Sequence, residues 1–138
     1  MSEDVALQKR IEDLGEVCIN TAETTLGIEL EFDESSLLRV DQIIADAWNN
    51  ETPSMLEQMV LIWGSYLGES IRRLKGGYWV ESDEYGTHLC DVGAQGVKIM
   101  PYNRIRARFE VGMEESITYY YQALCSLIEE ERSRSEGD

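Results

Sequence analysis

An α+β architecture follows from the pattern of this 138-residue chain: a three-stranded antiparallel meander packed against four to five α-helices in a single domain. Three observations predict it. Apolar residues recur at helical spacing on both sides of a central stretch. That stretch holds three short β-type runs separated by the turn formers D-E-Y-G and G-A-Q-G. Gly76-Gly77 and Pro101 mark where the pattern changes. The length suits one core, since a domain of this size buries roughly 70% of its unfolded surface. Residues 1–132 are expected to form it, with 133–138 as a frayed acidic tail.

The first helix is predicted from about Val5 to Leu26, with Leu7, Ile11, Leu14, Cys18 and Ala22 as its apolar stripe and Gly27 as its stop. Ile28, Leu30 and Phe32 then alternate with acids, which fits an edge strand or an ordered connection. Asp33 or Ser35 caps a second helix with the stripe Leu37, Val40, Ile44, Ala47 and Trp48, ending at Asn49-Asn50. Thr52-Pro53 has the form of an N-cap followed by a first-turn proline, so a third helix is placed from about Pro53 to Leu74. That helix is apolar on nearly all sides and therefore central. Its Gly64 and Gly68 are read as points of close approach by another element, because each costs about 1 kcal/mol of helix propensity. Strands are expected at Tyr78 to Ser82, Thr87 to Val92 and Val97 to Met100. Pro101 opens a helix from about Tyr102 to Glu110, stopped by Gly112, and a last helix runs from about Glu114 to Arg132. Trp48, Trp63, Leu67, Ile71 and Trp79 are the expected core, and losing any of the three tryptophans should be severely destabilising.

Charge is the strongest compositional fact. Twelve basic and 27 acidic residues give −15. Met1 to Ile71 carries 3 basic and 15 acidic residues, Arg72 to Arg108 carries 7 and 4, and Phe109 to Asp138 carries 2 and 8. Nucleic acid is disfavoured as a partner, since polyphosphate binding needs a basic surface. The longest apolar run is too short to span a bilayer, and the acidic N-terminus does not resemble an export signal, so a cytoplasmic protein without a membrane partner is expected. Cys18, Cys90 and Cys125 contain no C-x-x-C pair and are read as reduced core residues.

The run W-V-E-S-D-E-Y-G-T at Trp79 to Thr87, Pro101, and R-F-E-V-G at Arg108 to Gly112, preceded by Y-L-G-E at Tyr66 to Glu69, resembles a bacterial family catalogued as domain of unknown function 3806. The likeness covers roughly the second half of the chain, with a weaker likeness from Leu30 to Ile44. It implies a soluble bacterial α+β protein without an established activity, so no catalytic residue carries over. The matching Trp79, Asp83, Tyr85, Gly86, Pro101, Arg108 and Gly112 also make sense as fold determinants. The acidic first half and the R-I-R-A-R density depart from the family pattern.

No catalytic, cofactor or metal constellation stands out. His88 and Cys90 share one side of a strand, and Glu69 is a possible buried acid. A nucleophilic pair still needs an orienting acid and an oxyanion hole, and a closed zinc site needs four ligands. Glu69 is expected instead to pair with Arg72 or Arg73. V-G-A-Q-G-V-K lacks the ending of a phosphate loop and reads as a hairpin turn. In a helix Arg104 and Arg108 share a face while Arg106 points about 200° away. The simplest expectation is that these arginines pair with acids such as Glu110 or those of the helix carrying Glu69. Of Tyr119, Tyr120 and Tyr121, two should enter the core and one should stay exposed.

The reading that results is a non-enzymatic, acidic interaction protein that binds a protein partner, with Asp83, Glu84, Tyr85, Arg104, Arg106 and Arg108 as the candidate interaction surface and no cofactor. One version is an immunity protein covering the basic active site of a nuclease toxin. The alternatives are a small-molecule or anion sensor using the concave face between the meander and the third helix, and an enzyme centred on His88, Cys90 and Glu69.

Overall fold

The computed structural model describes residues 3–49 and 51–136. The elements run α1 (Glu3–Leu26), α2 (Glu34–Leu37), α3 (Val40–Trp48), α4 (Leu56–Lys75), β1 (Tyr78–Ser82), β2 (Gly86–Val92), β3 (Val97–Ile99), α5 (Pro101–Val111), a 3₁₀ turn (Met113–Glu115) and α6 (Ile117–Glu136). The sheet is antiparallel with order β1-β2-β3, so the expected α+β meander is present. One core joins residues from all six helices and all three strands.

Helix α4 is the centre, buried without interruption from Ile62 to Ile71 and packed on α1, α5 and β2. Gly64 lies against the Tyr102 ring, and Gly68 lies against the Trp79 indole and Pro101; a Cβ at either position would overlap its neighbour. The two glycines therefore let α5 and β1 approach the α4 backbone, as their spacing predicts.

Ile28 to Phe32 is a connection and not a strand. Its polar backbone groups are met by other partners: the Tyr66 hydroxyl donates to the Glu31 carbonyl at 2.7 Å, Arg39 donates to the Glu29 carbonyl at 3.0 Å, and the Glu31 amide donates to Ser36 Oγ at 3.0 Å. Leu30 is buried between exposed Glu29 and Glu31, so the alternation survives without a ladder.

The predicted second helix is divided into α2 and α3. Asp33 caps α2 by accepting from the Ser36 amide at 2.8 Å, but Arg39 hydrogen-bonds back to Ser36 and not to Ser35, tightening the chain for one turn. The core face of α3 is Val40, Ile43 and Ile44, while Ala47 is exposed and Trp48 is only half-buried, edge-on to Phe109. Asn49 ends α3 in the left-handed region at φ 44°; the Asn50 part of the expected stop lies outside the described residues. Helix α4 starts at Leu56 and not at Pro53. Met55, at φ −110° and ψ 52°, interrupts helical geometry, and Pro53 is buried in the connection. In β2 one extra residue between Leu89 and Val92 makes a bulge, with Asp91 at φ 54°, so both apolar residues face the core despite their odd spacing. Helix α6 continues past Arg132 to Glu136, supported by Arg132–Glu129 and Arg134–Glu131 pairs at 2.6 Å. Of the expected tail, 137–138 lie outside the described residues.

Candidate functional site

The R-I-R-A-R segment forms α5, and each arginine meets a different partner. Arg104 pairs with Glu115 and lies over the Tyr120 ring, 4.6 Å from its centre. Arg106, on the opposite side, makes a two-pronged contact with Glu57 of α4 at 2.7 and 2.6 Å, with Glu110 at 3.6 Å. Arg108 is 3% exposed and donates to the Asp41 carboxylate at 2.9 Å and to its carbonyl at 3.0 Å. Arg108 is therefore a core residue and leaves the candidate surface, because Asp41 of α3 provides a charged partner inside the fold.

Asp41 is the hub of that region. Besides Arg108, its oxygens accept from the Ser116 hydroxyl at 2.7 Å and from the Ile117 and Thr118 amides at 2.9 Å each. A carboxylate on α3 thus caps the N-terminus of α6, where free amides and the helix dipole favour negative charge. Burial works against its charged form, but the Thr118 and Ile117 amides, Ser116 and Arg108 outweigh it and hold the carboxyl below its ordinary range.

Glu69 is fully buried on α4 and is a second hub. Arg72 donates to it at 2.6 and 2.9 Å, Arg73 at 3.0 Å, and the Trp79 indole at 3.1 Å. Burial opposes ionisation here too, and Arg72, Trp79 and Arg73 reverse it, so this carboxyl also titrates low. Trp79 pairs with Leu89 across the sheet, both facing the core, so the neighbouring His88 emerges from the opposite face. Glu69 and His88 are therefore separated by the sheet, and the enzyme constellation is not assembled. His88 is 2% exposed, its Nδ1 2.9 Å from the Gly86 carbonyl and its ring against Tyr85. Among the described residues no group of three or more His, Cys, Asp or Glu is placed to hold a metal ion.

The D-E-Y-G turn is a three-residue loop, Asp83 to Tyr85, closed by the Ser82–Gly86 pair with Gly86 at φ 66°. Asp83 and Glu84 face solvent, while Tyr85 lies between His88 and the Lys98 ammonium, which is 4.5 Å from its ring centre. Tyr119 is 74% exposed, Tyr120 half-buried and Tyr121 buried with its hydroxyl donating to Glu34 at 2.7 Å. Burial pushes the Tyr120 hydroxyl up to about 12 against the pull of Arg104.

Each of the twelve lysines and arginines has a partner within the chain, while Lys9, Arg10 and Arg134 stay more than half exposed. Nine are in ion pairs. Arg39 serves the Glu29 carbonyl, and Lys75 and Lys98 lie over Tyr121 and Tyr85. Carboxylates have no such complement. Glu23, Glu29, Glu31 and Asp33 border an open concavity of about 460 Å³ that no lysine or arginine lines among the described residues. The surface also has two grooves of about 340 Å³, one between α1, α4, α5 and the β1–β2 turn and the other between α3 and the C-terminal end of α5, and a concavity of about 430 Å³ lined by Lys98 and Arg104.

In comparison with known proteins, no family model, no curated protein and no solved structure matches the chain. No helix among the described residues is long and apolar enough to cross a membrane. Asp41 was not singled out from the sequence as a functional or structural hub. Its partners lie 67 to 77 residues away, and no local pattern around it marks them.

Proposed function

We propose that this is a non-enzymatic interaction protein whose acidic surface binds a partner protein presenting basic residues. The observation that carries this reading is the net charge of −15 on a surface whose lysines and arginines each have a partner within the chain, so the excess of carboxylates sets the field outside the molecule. A summed field of one sign speeds encounter with an oppositely charged partner and rejects acidic ones. The buried chemistry points the same way: Glu69 and Asp41 are held ionised by fold contacts, and neither has a free edge for substrate. An immunity protein that masks the basic active site of a nuclease toxin is one form of this proposal. Membership of the domain of unknown function 3806 family, suggested by the motif pattern, belongs to the proposal as well. Trp79, Pro101 and Arg108 of that pattern are all buried.

Affinity capture from an extract of the host, at low and high salt, tests the reading. A basic partner retained at low salt and released at high salt is expected. An acidic partner, or one whose retention ignores salt, overturns it.

A second reading, small-molecule or anion binding, is favoured by the groove beside the meander. Its apolar residues Leu7, Ile11 and Leu61 are rimmed by Arg10, Thr87, Asn103 and the Glu81 carboxylate 3.5 Å from Arg10, a mixture suited to an amphipathic ligand. A thermal-shift screen against metabolite-like acids would reveal such a ligand as a rise in the melting temperature, lost on Arg10→Ala.

A further inference from the structure

We propose that the groove between α3 and the C-terminal end of α5 is the docking site for an apolar anchor flanked by lysine or arginine on the partner protein. The proposal rests on the reading that the partner is basic, and it names where and how that partner seats. The groove holds about 340 Å³. Its floor is apolar and ordered: Ile44 and Phe109 are buried, and half-buried Trp48 stands edge-on to Phe109 with ring centres 5.1 Å apart.

Two large apolar side chains stand at the lip without cover, Val111 at 57% and Met113 at 56% exposure. Gly112, at φ 109°, turns the chain between them. Apolar groups left in water beside a concave apolar floor are the anatomy of an interface core, where an aromatic or aliphatic anchor excludes water and supplies most of the affinity.

Charge selects the occupant. Glu51, Glu110 and Glu114 line the same groove. The only cation lining it, among the described residues, is Arg108, which is buried against Asp41. Glu110 has a distant contact with Arg106 at 3.6 Å; Glu51 and Glu114 are in no ion pair among the described residues. An anchor with basic flanks would place its charges on this rim. A second copy of this chain would bring carboxylates against carboxylates, a cost that like-charge contact imposes on any self-complementary use of the groove. The floor is also preorganised, since Asp41 ties α3, α5 and the start of α6 together beneath it, so little ordering is needed on binding.

Two synthetic peptides test the proposal: one with a central Leu-Phe anchor flanked by lysines and arginines, the other identical but with glutamate flanks. Binding is followed by amide NMR shifts and by titration. The basic peptide should bind saturably at one site, shifting Val111, Gly112, Met113 and the Trp48 indole, while the acidic one should not. Glu51→Lys with Glu114→Lys should weaken binding about tenfold or more, and Met113→Ser should weaken it as well. These positions are exposed, so the variants are expected to fold, and their unperturbed amide spectra verify it. The Glu23→Gln, Glu29→Gln, Glu31→Gln triple variant should bind as the wild type does.

Shifts centred on the Glu23–Asp33 concavity, with loss in the triple variant, would overturn the groove while leaving the basic-partner reading intact. Equal binding of both peptides, no saturable shift at the groove, or concentration-dependent shifts there without peptide would also overturn the docking site. Failure of the basic-partner reading is recognised separately, by salt-insensitive capture from the host extract.

Discussion

Asp41 accepts from Arg108, Ser116, Ile117 and Thr118, and so holds three helices with one carboxylate. Asp41→Asn keeps the size but turns one oxygen into a donor that faces donors, and it leaves the buried Arg108 without a counter-charge. A loss of about 2–4 kcal/mol in urea unfolding is expected; an unchanged midpoint would contradict the hub role. Glu69 allows a pH test. Its folded pKa is depressed below the ordinary 4.5, so the stability it contributes is complete above that value and is lost as pH falls through the folded value. Glu69→Gln should therefore be about 2–3 kcal/mol less stable than the wild type at neutral pH. The two should converge in acid, where the native side chain is itself protonated. A gap that persists in acid would show that packing, and not charge, is responsible. At this scale the sequence was partly legible. The Glu69 pairings with Arg72 and Arg73 follow from i,i+3 and i,i+4 spacing on one helix. The burial of Arg108 does not, because its acid comes from a helix 67 residues earlier.

Helix α4 owes its central place to Gly64 and Gly68, which admit Tyr102 and Trp79 against its backbone. In an open helix Gly→Ala gains up to about 1 kcal/mol of propensity. At Gly68 the new methyl would meet an indole that is 2% exposed and hydrogen-bonded to Glu69, so overpacking should win and Gly68→Ala should lose about 1–3 kcal/mol in chemical denaturation. A stabilised variant would mean that β1 can retreat from α4. Elements governed by local chemistry were legible: the strands follow from D-E-Y-G, G-A-Q-G, the Gly76-Gly77 pair and Pro101, and α1 ends where Gly27 allows. Elements governed by tertiary packing were not. The Thr52-Pro53 signal did not start α4 because Pro53 is buried in the connection, and the α2–α3 break has no glycine or proline to announce it. Trp48 was expected in the core and is half-buried, because it sits at the edge of the α3–α5 groove.

Across the whole molecule the net charge of −15 is read from composition, but its geography is not. In the sequence, Arg72 to Arg108 is the only segment that is not acidic, and helical spacing keeps Arg104, Arg106 and Arg108 from forming one patch. Folding brings Glu57, Glu115 and Asp41 onto Arg106, Arg104 and Arg108, and the surface keeps carboxylates in excess of its exposed cations, such as Lys9, Arg10 and Arg134. Partner binding is therefore proposed to be electrostatic, and the dissociation constant of the captured partner, measured against ionic strength, is the decisive test. The affinity is expected to weaken by about tenfold or more between about 0.05 M and about 0.3 M salt. An affinity that stays constant over that range would contradict it.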